Sequence, residues 1–140
     1  MRVFLDTNIL LDVLLNRPTL VSESETVILR ADALGASMHV AWHGLATAYY
    51  LLRRGRSEQA ALAEIDKILS WAFVADCSDA QARRARHLGF SDFEDALQAV
   101  AAEACAADCL VTRNVTDFVG SLVPAVTPSE FLAQYPAPRN

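Results

Sequence analysis

Residues 3–14 read VFLDTNILLDVL, and this stretch decides the fold class. The short apolar run at residues 3–5 is typical of a buried strand, and the apolar spacing from Ile9 to Leu14 is typical of a helix. Further short strand-like runs lie between helical patterns, at residues 39–41, 72–74, 110–111 and 125–126. This alternation predicts an α/β fold, with a mostly parallel sheet covered by helices on both faces.

The composition predicts one globular domain that spans residues 1–140. Hydrophobic residues make up 53% of the chain and charged residues 21%, which excludes a disordered polymer, and we find no repeat or domain boundary. The N-terminus meets Asp6 before a long apolar run develops, and no stretch approaches the ~18 apolar residues of a membrane span. We therefore expect a cytoplasmic protein without a membrane segment. The cysteines Cys77, Cys105 and Cys109 form no CxxC pair and are interpreted as small buried thiols.

The net charge of -5 argues against a broad, sequence-blind grip on nucleic acid. It leaves room for a local basic rim, for which Arg53, Arg54 and Arg113 are candidates as RNA-binding residues. For any one of them, a solvated helix face is the favoured interpretation.

Three capping boxes are predicted at helix starts: Ser78 with Gln81, Ser91 with Glu94, and Thr127 with Glu130. These assignments bear on function, because an acid that caps a helix needs no catalytic explanation. Glu94 is accordingly set aside.

Asp6 lies where the first strand ends and the first helix begins. It could be the N-cap of that helix, but Thr7 and Asn8 could serve equally well. Ligands of open α/β sheets bind beyond the carboxyl ends of strands, so we interpret Asp6 as functional.

Asp95 points away from the apolar stripe of its predicted helix, and its neighbours on that side are Ala99 and Ala102. A helix that is apolar on two sides packs on two sides, so Asp95 is expected in a crevice where an unpaired charge is unfavourable. A bound cation would relieve this charge, and an arginine partner is the structural alternative.

Asp117 follows the strand at residues 110–111 and could simply occupy the third position of a short helix capped by Asn114. It joins Asp6 and Asp95 if the strands before Asp6 and Thr112 are neighbours in the sheet. Carboxylates gathered at one place need a cation, and their oxygens suit Mg²⁺ or Mn²⁺.

The segments that carry these acids resemble the PIN domain family, in particular its small single-domain VapC-type toxins. The matching segments are FLDTNILLDVLLNRP at 4–18, DFEDALQAVAAEACAADCLVTRNVTDF at 92–118 and VTPSEFL at 126–132. The resemblance implies a three-layer α/β/α sandwich with a central five-stranded parallel sheet. It also implies cleavage of RNA with Mg²⁺ or Mn²⁺, a homodimer and a cognate antitoxin as partner.

The resemblance further implies a set of site residues. The catalytic and metal-binding acids would be Asp6, Asp95 and Asp117, with Asp92 as an accessory metal-binding acid. Asn8 and Thr112 would be polar supports of the same pocket.

One departure from the family concerns the helix after the second strand, where many members carry a further acid, usually glutamate. Residues 40–50 contain no acid here. Loss of that ligand predicts a weaker or absent second metal site and lower activity, with Asp92 or His43 as candidate substitutes. The preferred hypothesis is hydrolysis of RNA phosphodiesters by metal-activated water. The alternative is a catalytically silent PIN-like module that binds RNA or a protein partner.

Overall fold

A computed structural model describes residues 1–138 and shows a parallel sheet with helices on both faces. The strands are β1 (Arg2–Leu5), β2 (Ser37–Val40), β3 (Ala72–Val74), β4 (Cys109–Val111) and β5 (Ala125–Val126). The helices are α1 (Thr7–Leu14), α2 (Val21–Ala33), α3 (Trp42–Leu52), α4 (Glu58–Leu69), α5 (Asp79–Arg86), α6 (Phe93–Ala104) and α7 (Pro128–Gln134), with a 3₁₀ helix at Val115–Phe118.

The sheet has the order β3-β2-β1-β4-β5, and every neighbouring pair is parallel. β1 is central, since Phe4 is in register with His39 of β2 on one side and with Leu110 of β4 on the other. The predicted α/β sandwich with five parallel strands is confirmed, and each observed strand overlaps a predicted run.

Alternating side chains of the central strands feed two separate cores. Val3 and Leu5 point into the larger core with α1, α2, α3, α4 and α7, whereas Phe4 points into the opposite core with α6. α6 is packed on two sides, as predicted: Ala99 and Ala102 face the sheet, and Val100 packs with Ala85 of α5.

The predicted helix caps and the predicted state of the cysteines have different outcomes. Capping boxes start α5 at Ser78 and α7 at Thr127, as predicted. The cysteines are not uniformly buried thiols, because Cys77 is exposed in the loop after β3 and Cys105 is partly exposed at the end of α6. Only the strand residue, Cys109, is buried.

Candidate metal centre

The candidate site lies at the carboxyl edge of the sheet, where β1 and β4 run side by side. The backbone amide of Asp6, directly after β1, donates to the carbonyl of Val111 at the end of β4 (3.0 Å). The predicted adjacency of the strands before Asp6 and Thr112 is therefore confirmed. The order of strands reverses at β1, so this edge is a switch point of the kind at which α/β folds bind ligands.

Asp6 is buried, with 2% of its surface exposed, and it accepts a hydrogen bond at Oδ2 from the hydroxyl of Thr112 (2.7 Å). Thr112 is fully buried, and its hydroxyl also accepts from the amide of Asn114 (3.1 Å). Asp6 occupies the N-cap position of α1, but its side chain makes no capping hydrogen bond. Helix capping therefore does not account for this carboxylate.

Burial raises the pKa of Asp6 from 3.8 to about 6. The hydroxyl of Thr112 opposes this rise, and the negative charge of Glu94 adds to it. Within residues 1–138, Asp6 has no ion pair with a basic side chain. A buried carboxylate is thus held near a polar partner but without a compensating cation.

The start of α6 differs from the prediction. Asp92, not Ser91, is the N-cap residue, and its Oδ1 accepts from the amides of Glu94 (2.8 Å) and Asp95 (3.2 Å). The predicted capping box of Ser91 with Glu94 is wrong, because the carboxylate next to the helix binds the free amides of its first turn. Glu94 therefore does not cap α6, and the reason for excluding it as a functional residue no longer applies.

Three carboxylates gather at this helix start. One oxygen each from Asp92, Glu94 and Asp95 lies within 4.8 Å of the other two. Burial, followed by the charges of Glu94, Asp92, Asp6 and Asp117, raises the pKa of Asp95 from 3.8 to about 7. The arginine partner considered for Asp95 is not observed in the described part of the chain.

The structure brings Asp6, Asp95 and Asp117 to the same edge but in different surroundings. Asp6 is buried, Asp95 is partly buried, and Asp117 is exposed in the 3₁₀ helix after β4. Asp6 and Asp117 lie outside the tight group at the start of α6, yet close enough for their charges to raise the pKa of Asp95. Asn8, in the first turn of α1, is partly buried beside Asp6.

Glu94 is the site residue that sequence reasoning missed. Its Oε1 accepts from Nε2 of Gln98 (2.8 Å) and lies 3.1 Å from Nε2 of His43 at the start of α3. The DFED run contained the necessary signal, since it has three acids in four residues and a helix start needs only one of them as a cap.

The predicted basic rim is not assembled around the acids. The guanidinium of Arg113 faces inward and donates to Asp12 (2.8 Å), Glu23 (3.0 Å) and Ser24 (2.9 Å). Arg53 and Arg54 follow the last turn of α3, whereas His43 lies in its first turn. At about 1.5 Å per residue, this places the two arginines roughly 15 Å farther along the helix.

The donor set fits a hard divalent cation. All the gathered side chains offer carboxylate oxygens, which Mg²⁺ and Mn²⁺ prefer. Burial is the largest cause of the raised pKa of Asp6 and of Asp95, and the charges of neighbouring acids add to it. Asp92, Glu94 and Asp95 bring one oxygen each within 4.8 Å of one another, and Asp6 and Asp117 lie at the same edge outside this group.

Comparison with known proteins identifies the family. A model of the PIN domain matches residues 2–116. No curated protein matches the chain in sequence. Among solved structures, the fold is similar to a chain of VapBC2 from Rickettsia felis, solved bound to a DNA fragment from their promoter, with a TM-score of 0.71 and 20% identity over 91% of this chain and 98% of that one.

Two further structures share this fold. VapBC-1 from nontypeable Haemophilus influenzae gives a TM-score of 0.69 at 17% identity, covering 92% of this chain and 99% of that one. FitAcB from Neisseria gonorrhoeae gives 0.65 at 13% identity, covering 91% and 98%. The family match extends from β1 through the start of the 3₁₀ helix and so includes Asp6, Asp95 and Thr112. This chain therefore belongs to the PIN domain family.

Proposed function

We propose that this protein is an endoribonuclease that depends on Mg²⁺ or Mn²⁺. The observation that carries the proposal is the gathering of acids at the carboxyl edge of the sheet, where Asp6 and Asp95 have no basic side-chain partner within residues 1–138. The chain belongs to the PIN domain family, whose members are nucleases. A divalent ion bound there supplies an activated water and stabilises negative charge on the phosphate oxygens.

Each side chain has a defined part in this proposal. Asp6, Asp95 and Asp117 bind the ion, and Asp6 and Asp95 must lose their protons to do so. Thr112 holds Asp6 by its hydroxyl, and Asn8 supports the same pocket from the first turn of α1. No serine, cysteine or histidine nucleophile is required, since water is the attacking group.

We further propose that the enzyme is the toxin of a toxin–antitoxin pair. The support is the likeness of the fold to chains of VapBC2 and VapBC-1 over at least 91% of this chain. A cognate antitoxin would inhibit by covering the acidic edge, and the toxin would act as a homodimer in the cytoplasm. Of the helices within residues 1–138, none has the length and apolar character needed to cross a bilayer.

The test is cleavage of a circular, unstructured RNA, on which only an endonuclease can act. The expected result is linear RNA with Mn²⁺ and intact circles with EDTA. Asp6→Asn should lower the rate by more than about 100-fold, because losing a metal ligand costs more than losing a group that orients one. Asp32→Asn, at an exposed aspartate near the end of α2, is the matched control and should leave the rate unchanged.

The lack of an acid on α3 favours one second candidate, a silent PIN-like module that binds RNA or a protein without cutting. The same experiment separates the two. Wild-type protein that retains the circular RNA on a filter but leaves it intact with Mn²⁺ and with Mg²⁺ would support the silent module.

A further inference from the structure

We infer that Glu94 supplies from α6 the carboxylate that many relatives carry on the helix after the second strand, and that Gln98 is the positioning residue that holds it there. The inference rests on the proposed function, because it concerns the same metal centre. Glu94 does not cap its own helix. That role belongs to Asp92, whose Oδ1 is occupied by two backbone amides.

Glu94 is instead fixed by two side chains from outside the acidic group. Gln98, one helical turn later, donates from Nε2 to Oε1, and His43 of α3 lies 3.1 Å from the same oxygen. Since both contacts use Oε1, neither occupies Oε2. One carboxylate oxygen of Glu94 lies within 4.8 Å of carboxylate oxygens of Asp92 and Asp95, so Glu94 belongs to the acidic group.

Gln98 has the character of a positioning residue rather than a core residue. Its side chain is fully buried, and its Nε2 also donates to the hydroxyl of Thr7 in α1. Its Oε1, however, has no hydrogen-bond partner in the described structure. A buried carbonyl without a partner is unfavourable, and an apolar side chain of similar length would avoid that penalty. What the amide provides in return is a donor that contacts both Glu94 and Thr7.

α3 also packs closely in this region. Gly44 lies so close to α1 that a Cβ there would stand 2.7 Å from Oγ1 of Thr7. Three helices thus meet at Thr7: α1 carries it, α3 approaches it through Gly44, and α6 reaches it through Gln98. From the first turn of α3, His43 contacts Glu94.

The experiment is titration of metal-free protein with Mn²⁺ by calorimetry, together with the melting temperature of the metal-free form. Gln98→Met keeps length and removes the amide. It should weaken Mn²⁺ binding about 10-fold or more, the usual effect of losing a group that orients a ligand, and leave the metal-free melting temperature unchanged or higher. Glu94→Gln should weaken Mn²⁺ binding more than Asp92→Asn does. Gln59→Met, at an exposed position of α4, is the control for Gln98→Met.

The outcomes separate this inference from the proposed function. Unchanged Mn²⁺ affinity in Gln98→Met, a lower metal-free melting temperature in that variant, or a larger loss in Asp92→Asn than in Glu94→Gln would overturn the inference alone. Wild-type protein that binds Mn²⁺ but never cleaves RNA would overturn the proposed function alone. Wild-type protein that binds no Mn²⁺ would overturn both.

Discussion

Asp6 and Asp12 stand six residues apart at α1, and both are buried, but the fold treats them in opposite ways. Asp12 is fully buried and receives two arginines, Arg113 at 2.8 Å and Arg17 at 3.6 Å. Asp6 is 2% exposed and receives only a hydroxyl from another side chain, that of Thr112. The chain itself compensates Asp12 with arginines, whereas Asp6 has no basic partner within residues 1–138 and is assigned a metal ion by the proposed function.

The two environments are connected by a dipeptide. Thr112 turns its hydroxyl to Asp6, and the next residue, Arg113, turns its guanidinium to Asp12, Glu23 and Ser24. The loop after β4 is therefore anchored in α1 and α2 while it presents Thr112 to the site. Burial alone therefore does not distinguish the two acids. The difference is the arginine pairing of Asp12, which Asp6 lacks within residues 1–138, and only Asp6 is proposed as a metal ligand.

The largest expected effect comes from breaking the compensated side of the comparison. Arg113→Met leaves Asp12 buried with only the more distant Arg17 and should lower the free energy of unfolding by about 3–5 kcal/mol, as for other buried pairs that lose one partner. Urea denaturation measures it. Arg83→Met, which breaks an exposed pair with Asp79, is the control and should cost less than about 1 kcal/mol. Equal effects of the two changes would contradict the contrast.

The acids around Asp6 should make the free energy of unfolding depend on Mn²⁺. Mn²⁺ at about 100 times its dissociation constant should raise the free energy of unfolding of the wild-type protein by about 2.7 kcal/mol, because only the folded state gathers the acids. The increase should vanish in Asp6→Asn, and Asp32→Asn should retain it. Thermal denaturation with and without Mn²⁺ measures the increase. If Asp6→Asn kept the full increase, Asp6 would not be a ligand of the metal centre.

Without metal, the same site should make stability depend on pH in a defined direction. Asp6 and Asp95 have higher pKa values in the folded chain, about 6 and about 7, than the ordinary 3.8. The folded state therefore binds more protons than the unfolded state from about pH 4 upward. The free energy of unfolding falls as pH rises from there, and the fall levels off above about 6 for Asp6 and above about 7 for Asp95. Asp6→Asn should flatten this fall and stabilise the metal-free protein at pH 8 by about 2 kcal/mol. A destabilised Asp6→Asn protein at pH 8 would contradict the account.

The smallest effect concerns the hydroxyl that Asp6 does have. Thr112→Val removes a donor that lowers the pKa of Asp6, so the pKa should rise above about 6, and stability at pH 8 should fall by about 1 kcal/mol. An NMR titration of the Asp6 carboxyl measures the pKa directly. Thr116→Val, at an exposed position in the 3₁₀ helix, should leave it unchanged. A lower pKa in Thr112→Val would show that the hydroxyl does not stabilise the carboxylate.

Much of the compared region could be predicted from local pattern. The apolar runs before Asp6 and Thr112 identify two strands, and parallel pairing then brings their ends together, as observed. Helical spacing places Ala99 and Ala102 on the same side of α6 as Asp95 and so predicts a crevice lined by alanines. Both alanines are buried against the sheet.

What could not be predicted depends on contacts between distant residues or on a competition between neighbours. Arg113 is paired with Asp12 across 101 positions, and its inward direction is invisible in the sequence TRNVTDF. Glu94 meets His43 across 51 positions. Ser91 and Asp92 could each be the N-cap of α6. Because Asp92 takes this position, Glu94 forms no capping box with Ser91.

Anomalous scattering from a crystal soaked in Mn²⁺ shows directly where a cation binds. The predicted result is a peak in contact with carboxylate oxygens of Asp6 and Asp95, and none at Asp12, where Arg113 already supplies the positive charge. No peak at the carboxyl edge of β1, or a peak that leaves Asp6 and Asp95 without contact, would contradict it.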